Sequence, residues 1–86
     1  MADLKNNIKA DAVGYLYRAA FYLAKGDQAS ALNFLNTTTQ RISQNKLLII
    51  KPLLENPKAQ LATKQQERYW AEKILDEYRL LFNQLS

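Results

Sequence analysis

The 86-residue chain has no cysteine and no histidine. The first absence removes disulfides, thiolate zinc sites and cysteine nucleophiles together. The second removes the commonest general base and the commonest transition-metal ligand. Glycine and proline occur only twice each and hydrophobic residues make up 48% of the chain, a composition that argues against disorder. No run reaches the roughly 18 apolar residues of a membrane span. The opening MADLKNNIKADAV lacks the continuous apolar core of a secretory signal, so a cytoplasmic protein is expected. Asn36-Thr37-Thr38 has the form of a glycosylation acceptor, which without a signal reads as chance.

What is present is enough for one small domain, residues 1–86. The net charge is +4, and the basic excess lies in residues 1–58, because residues 59–86 hold four Lys/Arg and four Asp/Glu. Arg41, Lys46, Lys51 and Lys58 bracket the most apolar stretch. Such a surplus is an ordinary solubilising surface, or else the footprint of an anionic partner.

Three long helical patterns follow. In the first, over 4–25, residues Ile8, Ala12, Tyr15, Leu16, Ala19, Tyr22 and Leu23 share one face, while Val13, Tyr17, Ala20, Phe21 and Ala24 occupy the adjoining flank. Polar groups keep only a strip around Asp11, Gly14, Arg18 and Lys25. A helix this apolar must be covered on two sides, either as the centre of a bundle or with a spare face for a partner. Lys25-Gly26-Asp27 is the corner, with Gly26 suited to the left-handed terminal residue and Asp27 to the N-cap of the next helix. That second helix turns Ala31, Leu35, Thr38 and Ile42 inward. Leu47 to Ile50 read either as a buried strand or as a helical extension; with no second strand to pair, the extension, ending near Lys51 before Pro52, is expected. Leu53 and Leu54 form one further turn over the core. The last helix starts at Asn56-Pro57 or at a Thr63/Gln66 capping box. In it Trp70, Ile74, Tyr78, Leu81 and Leu85 fall within about 80° of arc. Tyr69 and Leu80 stand together on the opposite side as a candidate contact ridge.

Enzymatic activity has little to stand on, and no cofactor is expected. Glu67, Glu72, Asp76 and Glu77 do not converge on one face, and the spacings Arg68–Glu72 and Lys73–Glu77 suit intrahelical ion pairs. Gln28 to Gln44 resembles a DNA-binding helix-turn-helix, with Thr37 to Ser43 as recognition segment, although the unbroken Leu35, Thr38, Ile42 phase favours a single helix. Basic residues without interleaved aromatics would give phosphate contacts and no base readout. Residues 12–39 resemble one tetratricopeptide-type helical hairpin, with Tyr15 and Tyr22 at its aromatic positions, Ala19 and Ala31 at its small ones, Gly26-Asp27 at its turn and Leu35 as the following large apolar residue. Similar hairpins occur in the three-helix microtubule-interacting and trafficking domains, which bind peptide helices in an interhelical groove. The matched positions are packing residues, so the resemblance implies a fold and assigns no binding residue.

The expectation is therefore an all-α domain, an antiparallel helical hairpin plus a long third helix in a small three- to four-helix bundle. Its core is Leu16, Ala19, Tyr22, Leu23, Leu35, Ile42, Trp70, Ile74, Tyr78 and Leu81. The expected role is a non-enzymatic protein-interaction or adaptor module that binds a protein or peptide helix or self-associates as a homodimer. Its candidate contact residues are Val13, Tyr17, Arg18, Phe21, Tyr69 and Leu80. The alternative is a small nucleic-acid-binding protein using Arg41, Lys46, Lys51 and Lys58.

Overall fold

In a computed structural model, which describes the backbone of residues 2–85 and the side chains of residues 10–84, every regular element among the described residues is helical. The order is α1 (Ala2–Ala24), α2 (Gln28–Arg41), a 3₁₀ turn (Gln44–Lys46), α3 (Lys51–Glu55), α4 (Pro57–Gln60) and α5 (Lys64–Leu85). Ile8 and Leu85, placed on inward faces by their spacing, lie outside the described side chains.

Local chemistry sets the corner. Gly26 adopts φ 86°, a conformation that a Cβ disfavours. Its N–H donates to the Leu23 carbonyl, and the Asp27 N–H to the Tyr22 carbonyl, both at 2.9 Å, closing α1 as a Schellman motif. Asp27 Oδ1 then accepts from the Ser30 amide at 3.1 Å to start α2. Hydrogen bonds from the Ser30 side chain, and next from its amide, hold the Asp27 carboxyl below its ordinary value.

The three long helices form a layer with α1 in the middle. It packs against α2 on one flank and α5 on the other, while α2 and α5 barely meet. Ala12, Leu16, Ala19 and Leu23 are all but inaccessible and form a cluster with Ala31 and Leu35 of α2 and Trp70, Ile74 and Leu81 of α5. The chain between α2 and α5 closes one face of this layer, adding Leu47, Ile50, Leu53 and Leu61 to the same cluster. Eight of the ten expected core residues are buried, whereas Tyr22 and Tyr78 are half-buried edge rings. Tyr22 stacks on Phe34 at 5.6 Å between centroids, and Tyr78 lies 5.4 Å from Tyr17.

The connection differs from the expected extension. α2 stops at Arg41 and Ile42 is extended, although its N–H still reaches the Thr38 carbonyl at 2.8 Å. Thr37, Thr38 and Thr39 each donate a hydroxyl hydrogen bond back to a carbonyl of the preceding turn, and Ser43 caps the 3₁₀ turn through Asn45 N–H. A straight helix would spread Leu47, Leu48, Ile49 and Ile50 around its whole circumference. The turn instead buries Leu47 and Ile50 completely and leaves Leu48 exposed. Lys51-Pro52 begins α3 rather than ending a helix, as proline's missing N–H permits in a first turn.

Both candidate starts for the last helix are used. Asn56 caps α4 by accepting from the Ala59 amide at 3.4 Å. Thr63 and Gln66 then form a reciprocal capping box at 2.9 and 3.1 Å ahead of α5. Gln28 Nε2 of α2 donates to the Leu61 carbonyl at 2.9 Å and to Glu67, and Trp70 Nε1–H donates to Gln60 at 3.3 Å. These bonds tie the end of the connection to both flanking helices.

Two substitutions test this architecture. Ile74→Ala, at a completely buried position, is expected to cost about 2–5 kcal/mol in urea unfolding; a loss under about 1 kcal/mol would mean that the phase of α5 is wrong. Gly14 lies inside α1 with nothing within 4 Å of where a Cβ would stand. Gly14→Ala is therefore expected to stabilise the fold by about 0.5–1 kcal/mol.

Candidate functional site

Between its two flanks α1 turns one side to solvent, and the surplus aromatics gather at the edge of that side. Tyr17 and Phe21 are 52% and 49% exposed, one turn apart on the flank nearer α5. Beside them runs an open groove of about 380 Å³ between α1 and α5. Ala20, Ala24 and Ala71 are its small residues; Tyr17, Phe21 and Leu75 give it apolar walls, and Arg68 and Glu72 stand at its margin. A second depression on the α2 side of the rings is lined by Arg18, Tyr22 and Phe34. Tyr17 and Phe21 thus form a ridge between two depressions.

Cations decorate this ridge. Lys25 Nζ sits 4.3 Å from the Phe21 ring centroid, and the Arg18 guanidinium carbon lies 6.0 Å from that of Phe34. The rings continue along α5, since Tyr17 touches Tyr78 and Tyr78 lies 5.7 Å from the exposed Phe82.

Other sequence candidates lie elsewhere. Val13 is buried at 3% exposure, lining a separate cavity with Ile42 and Leu81, so it does not extend the ridge. Its phase matches that of Tyr17, but the ends of α2 and α5 converge over it. Tyr69 and Leu80 are exposed, yet at 100° per residue Tyr69 stands a full 100° around α5 from Arg68 at the groove. The Tyr69 ring packs edge-on against Trp70 and lies under Lys73. Among the basic residues, Arg41 and Lys46 border the cavity that Val13 lines, with Arg41 5.2 Å from the Tyr15 ring. Lys51 and Lys58 belong to α3 and α4 and do not line it. Gln28 to Arg41 is one uninterrupted helix, so the break that a helix-turn-helix requires at Leu35-Asn36 does not exist.

The acidic residues of α5 take four different roles. Asp76 pairs with Lys73 at 4.0 Å and Arg79 at 3.6 Å. Glu67 accepts from Gln28, and Glu72 faces solvent at the groove. Neither expected pair, Arg68–Glu72 or Lys73–Glu77, forms. Among the described residues no three acidic groups come together to hold a metal ion.

Glu77 is the residue that sequence reasoning misplaced. It stands seven residues after Trp70 and four before Leu81, inside the apolar stripe, and that spacing was the available signal. Its side chain is completely buried; Oε1 accepts from the amides of Ile49 at 2.9 Å and Ile50 at 3.4 Å. Oε2 is buried without a hydrogen-bond partner. Burial pushes the carboxyl up from its ordinary value, against the two amides, which pull it down.

Compared with known proteins, the chain matches no family model, no curated protein and no solved structure.

The raised value sets the sign of a pH effect. In the folded state the charged form is the costlier one, so the stability Glu77 contributes is greatest below the unfolded value near 4.5 and falls as pH rises through the folded value. Glu77→Gln keeps a carbonyl oxygen for the two amides and removes the charge. It is expected to flatten that decline in the urea midpoint and to be at least as stable as the wild type at neutral pH. Glu77→Ala leaves both amides without their acceptor, at an expected cost of about 1–3 kcal/mol. A glutamine variant with the wild-type pH slope would show that Glu77 titrates as an exposed carboxylate.

Proposed function

We propose that the chain is a non-enzymatic protein-interaction module that docks a helix against the α1/α5 groove, with Tyr17 and Phe21 as anchors and Arg18 at the rim. The observation that carries this reading is the half-exposure of two neighbouring rings beside a groove that also holds three alanines, Ala20, Ala24 and Ala71. Aromatic and arginine side chains are the usual anchors of protein interfaces, and small residues between them let a second helix approach closely. The likeness of residues 12–39 to a tetratricopeptide-type hairpin agrees with a helix-binding role. No helix among the described residues is long and apolar enough to cross a membrane.

A photo-cross-linking residue at Tyr17, with exposed Leu48 as control position, tests the reading in cells. Discrete protein adducts are expected at position 17 and not at 48. Phe21→Glu in the same chain is expected to abolish them while the far-ultraviolet circular dichroism stays unchanged. Adducts that survive Phe21→Glu, or that match those at 48, would remove the groove from consideration.

A second reading, phosphate binding by the basic middle, draws on Arg41 and Lys46 bordering one cavity of about 210 Å³. It predicts affinity for duplex DNA or RNA that falls steeply with ionic strength and does not discriminate sequence. Binding through an apolar groove has no such slope.

A further inference from the structure

We infer that the occupant of the α1/α5 groove is a second copy of this chain, joined about a two-fold axis; this rests on the docking reading above and names its partner. An isologous interface needs a patch that carries both members of every complementary pair, and this patch does so twice. The Tyr17 and Phe21 rings are the projections, and Ala20, Ala24 and Ala71 are the space beside them. A two-fold axis across the patch sets the rings of each protomer against the small residues of the other.

Charge repeats the pattern. Arg68 and Glu72 are both exposed at the groove, one helical turn apart, and no ion pair engages either within the protomer. An axis crossing α5 between them brings each Arg68 to the Glu72 of the other copy, making two ion pairs. The two groove charges then cancel, and the cations left at the ridge, Arg18 and Lys25, repel with the rest of the +4 charge of each chain over distances that physiological salt screens within about 8 Å.

The area suffices. One side of a standard interface buries about 800 Å², roughly one-seventh of this chain's 5814 Å². Tyr17 and Phe21, each about half exposed, together supply roughly 150–250 Å² of it.

The test is sedimentation equilibrium on the full chain from micromolar to submillimolar concentration. A monomer–dimer equilibrium is expected, and it is lost in Phe21→Glu with the helical spectrum retained. Arg68→Glu alone and Glu72→Arg alone place like charges across the axis, and each is expected to weaken the dimer about tenfold or more. Two recoveries are specific to the two-fold. The double variant Arg68→Glu/Glu72→Arg dimerises again, and so does an equimolar mixture of the two single variants, because each arrangement restores opposite charges at both contacts. A wild type that stays monomeric overturns the inference, as does a dimer indifferent to Phe21→Glu, or single reversals that mixing does not rescue. A monomeric wild type that still gives Phe21-dependent adducts to a different protein from position 17, an acidic helix among them, overturns the second copy alone and leaves the docking reading standing. Loss of those adducts together with a dimer built on another face removes both.

Discussion

A single buried carboxylate organises the irregular quarter of this protein. The segment between α2 and α5 contains only a 3₁₀ turn and helices of five and four residues, far too short to persist alone. What holds them is burial of Leu47, Ile50, Leu53 and Leu61 together with the hydrogen bonds to Glu77 Oε1. The turn at Ile49 and Ile50 has amides without helical acceptors, and the carboxylate reaches them from α5 across the core. Its position is a compromise, because the same burial that strengthens those bonds penalises the charge. The connection therefore has a fixed register on α5 instead of sliding along a greasy surface.

With the connection in place, the composition of α1 makes sense. The helix packs against α2 and α5 on its two flanks, and the buried leucines and isoleucine of the connection join the same cluster. The alanines at 12, 19 and 20 permit close approach there, and the tyrosines at 15 and 22 fill the edge toward Phe34. Tyr17 and Phe21 are what remains once the monomer has used every side it can cover. Their exposure follows from the layer geometry: with α2 and α5 held apart by α1, neither flank can wrap over its outer edge.

The parts legible in the sequence are those set within one helical turn. Gly26-Asp27, Asn56-Pro57 and Thr63/Gln66 act through neighbours three to five positions away, so their residue types announce the corners. The inward phases of α1 and α5 were legible as well, because they repeat over many turns. The end of α2 at Arg41 was hidden, since nothing in the sequence breaks the helix there; the gain comes from burying Leu47 and Ile50 together. The burial of Glu77 was legible in its place within the apolar stripe, but its partners, 27 and 28 residues distant, were not. At the groove, α1's side was readable as an excess of rings on one flank. The α5 side was not, because Arg68, Ala71, Glu72 and Leu75 become a wall only when α1 lies beside them. Val13 was misjudged by the converse effect, a position of the right phase that a neighbouring helix end happens to cover.

Trp70 gives the molecule an internal optical reporter. It is the chain's one tryptophan, 6% exposed, with its indole N–H bonded to Gln60 at the end of α4. Its fluorescence therefore responds to the departure of the short connecting helices from α5, whereas ellipticity at 222 nm is dominated by the three long ones. Coincidence of the two signals along a denaturant titration distinguishes a connection that melts with the bundle from one that detaches first.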